Sequence, residues 1–238
     1  VFTKNFFYKK FPDLMLSFFA RYLRIEVEGI ENLPKTGPLI LLPNHSGFMG
    51  FDALLMSYCI RRQYRRIPRI LIHKLWFTGR VLEKAAHGWG FLEATYKAGI
   101  SALKKNNVVM LFPEAEEGNF KPINERYKLR EFRQGFVRMA VNSKAPVVPV
   151  LVIGAEETHI TIGQVKILNQ LLPLPVNAFP LPAKWKIKFL KPIQLDDGLD
   201  LEDPDQVRVV ATQVREQMQT ELNSELAERK YIYMDNVL

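Results

Sequence analysis

The chain offers little sulfur chemistry. Cys59 is the only cysteine in 238 residues, so no intrachain disulfide forms and no cysteine-rich metal site exists. It sits among Leu55, Met56, Tyr58 and Ile60, the setting of a small buried apolar residue rather than a nucleophile. Long apolar runs are also missing. No stretch of about 18 uncharged apolar residues occurs, so no segment of this sequence reads as a membrane-spanning helix. The GxxxxGK phosphate loop, the GxGxxG turn and the GxSxG nucleophile elbow are all absent. His73, His87 and His159 have no ligand-type spacing with one another or with Cys59, which argues against zinc. No metal and no bound cofactor is expected. Neither an aromatic RNP strand nor a GxxG loop in its proper context appears, so nucleic acid is not an expected partner. The chain opens at Val1 rather than Met, which reads as a truncated or processed start.

What is present is globular. Apolar residues make up 47% and charged ones 24%, and the formal net charge is +8. A basic surface attracts phosphates, as in nucleic acid, anionic headgroups or an acidic carrier, and charge alone does not choose among them.

Apolar runs of strand length occur at Leu39–Leu42, Arg69–Ile72, Val108–Phe112, Val147–Ile153 and Trp185–Leu190. Helical periodicity lies between them at Asp52–Ile60, Phe77–Ala86, Thr95–Lys104 and Glu131–Asn142. This alternation predicts an α/β fold, a largely parallel twisted sheet flanked by helices. Asp203, Pro204 and Gln206 start a long C-terminal helix with one stripe of Val207, Val210, Val214, Met218, Leu222 and Leu226. Ile167–Pro182 is apolar yet carries four prolines, so it reads as an irregular loop, packed on the core or open to lipid. Residues 1–24 mix aromatics with Lys4, Lys9, Lys10, Arg21 and Arg24. That pattern suits an amphipathic helical extension lying in the headgroup plane, and equally one packed on its own domain. Two units are expected: 1–24 as a membrane-interacting segment and 25–238 as a single domain.

Two clusters could carry chemistry. In LILLPNHSGFMGFD, a strand ends at Pro43 and delivers Asn44, His45 and Ser46 to its carboxyl end, where open α/β sheets bind ligands. A histidine backed by Asp52 is a minimal general-base unit, whereas Asp52 alone reads as a helix cap. Positions seven apart in a continuous helix are separated by about 10.5 Å, so the dyad requires a loop, which Gly47 and Gly50 permit. Ser46, directly after His45, is a poor triad nucleophile. The second cluster, VVMLFPEAEEGNFKP, places Glu114, Glu116, Glu117 and Gly118 after a strand, with Lys121, Arg126, Lys128, Arg130 and Arg133 following. Such groups suit a ligand with hydroxyls and phosphates, or simply a solvated loop.

Four blocks in order resemble the glycerolipid and lysophospholipid acyltransferases: Asn44-His45 with Asp52, Phe112-Pro113-Glu114-Ala115, Phe132-Arg133-Gln134-Gly135, and Val148-Pro149-Val150. They cover about residues 39–153. The resemblance implies an O-acyltransferase of phospholipid biosynthesis with the fold of the glycerol-3-phosphate acyltransferases. It would move a fatty acyl group from acyl-CoA or acyl carrier protein to a lipid acceptor, at the cytoplasmic face of a membrane as a peripheral protein. His45 would be the base and Asp52 its orienter. Asn44, Glu114, Gly118, Lys121, Arg126 and Arg133 would bind substrate. Departures are visible. Six residues separate His45 from Asp52 where the family has four, Ala115 replaces a glycine, and Glu117 falls about where an arginine belongs. Gly90-Phe91-Leu92-Glu93-Ala94-Thr95 also lacks its arginine. The missing arginines put a phosphate-bearing acceptor in question and leave diacylglycerol or ornithine-type lipids open, as well as a thioester hydrolase or a non-catalytic lipid binder.

Overall fold

The computed structural model describes residues 11–45, 50–77, 83, 86, 88–118, 121–167, 170–177 and 179–233. Helix α1 (Phe11–Tyr22) precedes strand β1 (Glu26–Glu28), and then β2 (Leu39–Pro43) leads to α2 (Phe51–Tyr64) and β3 (Arg69–Ile72). Strand β4 (Phe91–Glu93), α3 (Tyr96–Lys104) and β5 (Val108–Met110) follow, and then the single turn α4 (Ala115–Gly118). Helix α5 (Gly135–Ser143), β6 (Val147–Ile153) and the short α6 (Ala155–Thr158) come next. A hairpin of β7 (Thr161–Ile167) and β8 (Gln170–Pro175), then β9 (Lys186–Phe189) and α7 (Pro204–Glu228), complete the order.

Among the described residues the main sheet has seven strands in the order β1-β9-β6-β2-β5-β3-β4. The five from β6 to β4 are mutually parallel, and β9 runs antiparallel to β6. The carboxyl ends of β2, β5 and β6 therefore lie side by side along one edge. The expected α/β class and largely parallel sheet are what the chain forms.

Both faces of the sheet are covered, and the strand sequences record it. Leu39 and Leu41 of β2 join Leu55, Met56 and Ile60 of α2, while Ile40 and Leu42 join Phe136, Val137 and Ala140 of α5. Val148, Val150 and Val152 of β6 face the first layer, and Val147, Leu151 and Ile153 face the second. A strand buried on both sides has no polar face, which is why these runs are continuously apolar. Helix α7 starts as its sequence predicts. Asp203 accepts the N–H groups of Asp205 and Gln206, and the Gln206 amide donates to the same carboxylate at 2.9 Å. Its buried stripe is Val207, Ala211, Val214, Met218 and Leu222, with Val210 and Leu226 packed alongside.

Three local expectations change. Glu131–Asn142 is not one helix: α5 begins only at Gly135, because the Arg130 and Arg133 N–H groups bond back to Glu114 and Pro113. Ile167–Pro182 is not an irregular loop throughout, since Gln170–Pro175 pairs antiparallel with Thr161–Ile167. In a two-stranded ribbon each strand has a free edge, a setting that tolerates proline as no interior strand does. The expected helix at Phe77–Ala86 lies mostly outside the described residues, and Phe77 itself ends a 3-10 turn.

Cys59 is buried in the first layer, and burial pushes its thiol from an ordinary 9.0 up to about 11. The folded state then holds this proton more tightly than the unfolded state does. The thiol's contribution is whole below pH 9.0 and declines as pH rises to about 11. We expect Cys59→Ala to flatten the fall of urea midpoints across that window. Native protein should also resist iodoacetamide at neutral pH until it is unfolded.

Candidate active site

The site is assembled from strand ends. β2 delivers Asn44 and His45, β5 leads to Phe112-Pro113-Glu114, and β6 leads to Gly154 and α6. The Asn44 side chain is wholly buried. Its amide donates to the Val152 carbonyl at 3.1 Å, and its oxygen accepts the Val152 N–H at 2.7 Å. It thus extends the β2–β6 ladder by one rung and fixes where the chain leaves the sheet.

His45 follows with its ring against Phe112, centroids 4.2 Å apart. Its Nδ1 lies 3.0 Å from Oδ2 of Asp52, which has no exposed surface, while the imidazole is 14% exposed. The other Asp52 oxygen accepts the Ala53 N–H at 2.8 Å. The sequence offered a helix cap or a histidine partner; the cap position is Gly50, and Asp52, inside the first turn, meets the histidine. Gly50, at φ 76, supplies the left-handed turn that starts α2 at Phe51 and brings Asp52 back toward His45. Ser46 and Gly47 lie outside the described residues. An imidazole that donates Nδ1–H to a carboxylate keeps Nε2 as its basic nitrogen. Among the described residues no group bonds to that Nε2.

Glu114 is fully buried behind the histidine. One oxygen accepts the His45 N–H at 3.0 Å, and the other accepts the Arg130 N–H at 2.8 Å and lies 3.1 Å from the Lys121 ammonium. Lys121 is buried as well, and its second carboxylate partner is Glu156, at 3.3 Å. Burial pushes the Glu156 carboxyl above its ordinary range, against the opposing pull of Lys121. Beside it, Tyr127 donates its hydroxyl to Glu157, which also pairs with Arg229 at 2.8 Å. Burial, then the charge of Glu157, raises the Tyr127 phenol well above its usual value.

The candidate substrate-binding residues therefore separate. Asn44, Glu114 and Lys121 are buried and make these bonds inside the protein. Gly118 is buried too, and a Cβ there would stand 2.5 Å from the Glu114 Cβ, so its missing side chain makes room for that carboxylate. Arg133 is 70% exposed and paired with Glu117 at 3.2 Å. Arg126 is half-buried after the 3-10 turn Ile123–Glu125. Sequence reading missed Glu156, Glu157, Tyr127 and Arg229. A signal was present in Gly154-Ala155-Glu156-Glu157, where an apolar strand ends in a glycine and two acids, much as β5 ends near Glu114. Ala115, at φ 52, keeps the left-handed backbone that favours glycine at this block. Among the described residues no group of three or more His, Cys, Asp or Glu side chains could hold a metal ion.

Gly118→Ala tests the packing against Glu114. Overpacking there should cost roughly 1–3 kcal/mol in urea denaturation. Gly88→Ala, where φ is ordinary and nothing lies within 4 Å of the added Cβ, serves as the control.

Comparison with known proteins gives this geometry its family. Residues 24–153 match the family model described as Acyltransferase. An uncharacterized protein of Mycobacterium tuberculosis is 34% identical over 238 residues, covering 92% of this chain and 66% of its own length. The chain thus spans just under two thirds of that relative. The 1-acyl-sn-glycerol-3-phosphate acyltransferase alpha of Mus musculus is 22% identical over 214 residues, covering 87% of this chain and 67% of that protein. A chicken (Gallus gallus) protein named DGAT1/2-independent enzyme synthesizing storage lipids is 24% identical over 185 residues, with 75% and 54% covered. The crystal structure of the 1-acyl-sn-glycerophosphate (LPA) acyltransferase PlsC from Thermotoga maritima superposes with a TM-score of 0.59 at 19% identity. It covers 94% of this chain and 84% of that one, a likeness of fold. With its strand-end His45 and Asp52 inside the matched segment, the chain belongs to the acyltransferase family.

Proposed function

We propose that the protein transfers a fatty acyl group from a thioester, acyl-CoA or acyl carrier protein, to a hydroxyl of a lysophospholipid or related glycerolipid. The observation that carries this reading is the 3.0 Å contact between His45 Nδ1 and the buried Asp52 carboxylate. In the proposed step Nε2 takes the proton of the acceptor hydroxyl as its oxygen attacks the thioester carbonyl. The tetrahedral intermediate collapses, the carbon–sulfur bond breaks, and the thiolate leaves with the proton returned from the imidazolium. Asp52 holds the productive tautomer and stabilises the transient positive charge.

A second reading concerns the acceptor. Lys121 is enclosed between two carboxylates and Arg133 is paired with Glu117, so neither is an unpaired cation awaiting a phosphate. The block at residues 90–95, which holds β4, lacks the arginine of the family pattern. These features favour an acceptor without a phosphate at this point, such as diacylglycerol, and the printed name of the chicken relative refers to storage lipids.

The same reading places the protein on a membrane surface. No described helix is long and apolar enough to cross a bilayer. Leu14, Met15 and Phe18 of α1 are exposed, as are Val176 and Phe179 after the β7–β8 hairpin. Phe179 packs against Phe19 and Tyr22, with centroids 6.0 and 5.6 Å away, joining the two patches. Phe19 in turn touches Phe51, next to Asp52, at 5.0 Å. The apolar patch is thus linked by ring contacts to the catalytic end of α2.

Two experiments test this. A lipid-extract screen with labelled acyl-CoA and acyl carrier protein should give an acylated lipid with wild type. His45→Ala should lose at least about 100-fold of the rate, and Asp52→Asn a comparable amount. Release of free fatty acid alone would make the protein a hydrolase, and full activity of His45→Ala would end the proposal. Phosphatidic-acid-containing vesicles should sediment the wild type, whereas Leu14→Asp/Phe18→Asp should stay in the supernatant. Equal sedimentation of the two would sink the membrane assignment.

A further inference from the structure

Lys121 is a cation almost without exposed surface, its side chain 1% exposed, and it stands between two acids, Glu114 at 0% and Glu156 at 7%. Such a group is costly to bury, and removing one partner of a buried pair is costlier than never having placed it. A purely structural pair would suffice elsewhere in the core. This one is joined to the histidine through the Glu114 carboxylate, whose one oxygen meets Lys121 and whose other accepts the His45 N–H.

We propose that Lys121, held by Glu156, is a positioning residue for acyl transfer, keeping the Glu114 carboxylate on the His45 backbone so that the imidazole meets Asp52. The proposal rests on the reading of His45 as the base. The path is short and continuous. Glu156 reaches the Lys121 ammonium, and its other oxygen accepts the Tyr127 N–H at 2.9 Å, fixing it in place. Lys121 reaches the Glu114 oxygen that also takes the Arg130 N–H, so the carboxylate cannot rotate without losing both. The other Glu114 oxygen then has one direction open, toward His45.

The charged groups facing Glu114 are few. Lys121 and Glu156 lie on one side and His45 with Asp52 on the other. Arg130 offers its backbone N–H while its guanidinium pairs with Glu125, and on the same turn as Gly118, Glu117 pairs outward with Arg133. Lys121 is therefore the cation that balances Glu114 and Glu156. Glu156 accepts a proton more readily than an ordinary carboxylate because it is buried.

This arrangement predicts an epistasis of unusual sign. Lys121→Met keeps the side-chain length and removes the charge, leaving two buried acids facing each other. A proton must then be shared between them, and Glu114 is no longer held on His45. We expect kcat to fall on the order of 100-fold at nearly unchanged KM. The ascending limb of the kcat–pH profile should move to higher pH, since the ionised pair is reached later. Glu156→Gln leaves a neutral oxygen for the Lys121 ammonium and keeps Lys121 with Glu114, so its kcat should fall less than that of Lys121→Met. Lys121→Met/Glu156→Gln removes the opposing acid and should be more active than Lys121→Met, with the limb moved back toward its original position.

The four proteins, with His45→Ala alongside, are compared by steady-state kinetics across pH and by thermal melting. A merely structural lysine gives losses that add, follow the melting temperature and leave the pH limb in place, and that result overturns the proposal. If Lys121→Met does not fold, the double variant is judged against Glu156→Gln. Lower kcat at unchanged KM supports positioning, and equal kcat refutes it. Failure of the base assignment is separable. Activity retained in His45→Ala removes the catalytic reading itself. An inactive His45→Ala beside a Lys121→Met of wild-type kcat and pH profile removes only this inference.

Discussion

The site depends on one carboxylate with no exposed surface. Glu114 joins the end of β5 to the end of β2 through the His45 N–H, and to the following segment through the Arg130 N–H and the Lys121 ammonium. A buried charge is tolerated only when its acceptor sites are filled. The surrounding sequence is arranged accordingly. Gly118 leaves the space, Lys121 supplies the cation, and Glu156 holds that cation in place. His45 inherits its position from this knot rather than from its own side chain, whose one polar contact among the described residues is Asp52.

The segment from Lys121 to Arg133 has little regular structure, yet it is tied down throughout. Glu156 takes the Tyr127 N–H, and Gly154 donates its N–H to the Tyr127 hydroxyl. Gln219 on α7 both accepts from the Leu129 N–H and donates to the Tyr127 carbonyl. Arg133 N–H closes the far end on the Pro113 carbonyl at 2.8 Å. Tyr127 in this segment, at φ 60, and Ala115 just before it, at φ 52, occupy the left-handed region, which costs on the order of 1–3 kcal/mol each. Strain of that size persists where the surroundings over-determine the backbone, and these bonds supply that determination. Helix α7 thereby supports the site from behind. Arg229, just past its end, reaches Glu157 and the Lys184 carbonyl.

What could be read from the sequence follows from which forces are local. Arg69–Ile72 and Val147–Ile153 coincide with β3 and β6, because a strand buried on both faces leaves an unmistakable apolar run. The cap of α7 was legible because Asp203, Pro204 and Gln206 act within one turn. The His45–Asp52 contact was legible as a requirement on Gly50, not as a distance. The orientation of Asn44, Glu114 and Lys121 was not legible. Nothing local tells a solvated lysine from one enclosed by two acids when one of them, Glu156, lies 35 positions away. The same holds for Glu131–Arg133, whose helical pattern yields to bonds with Pro113 and Glu114. The β7–β8 ribbon was missed because proline argues against interior strands and says nothing of a ribbon whose strands all have an open edge.

Charge also reads differently once it is located. The net +8 suggests groups waiting for phosphate. Around the site, however, Lys121 is matched by two acids, Arg130 by Glu125, Arg133 by Glu117 and Arg229 by Glu157. Cations so matched project little field into the cleft, and an ion pair must be broken before a phosphate can use one of its members. On the proposed membrane reading, the remaining positive charge is what would meet anionic headgroups or an acidic carrier. Under the proposed acyl transfer, discrimination among acceptors falls instead to shape and to the position of the attacking hydroxyl relative to His45 Nε2.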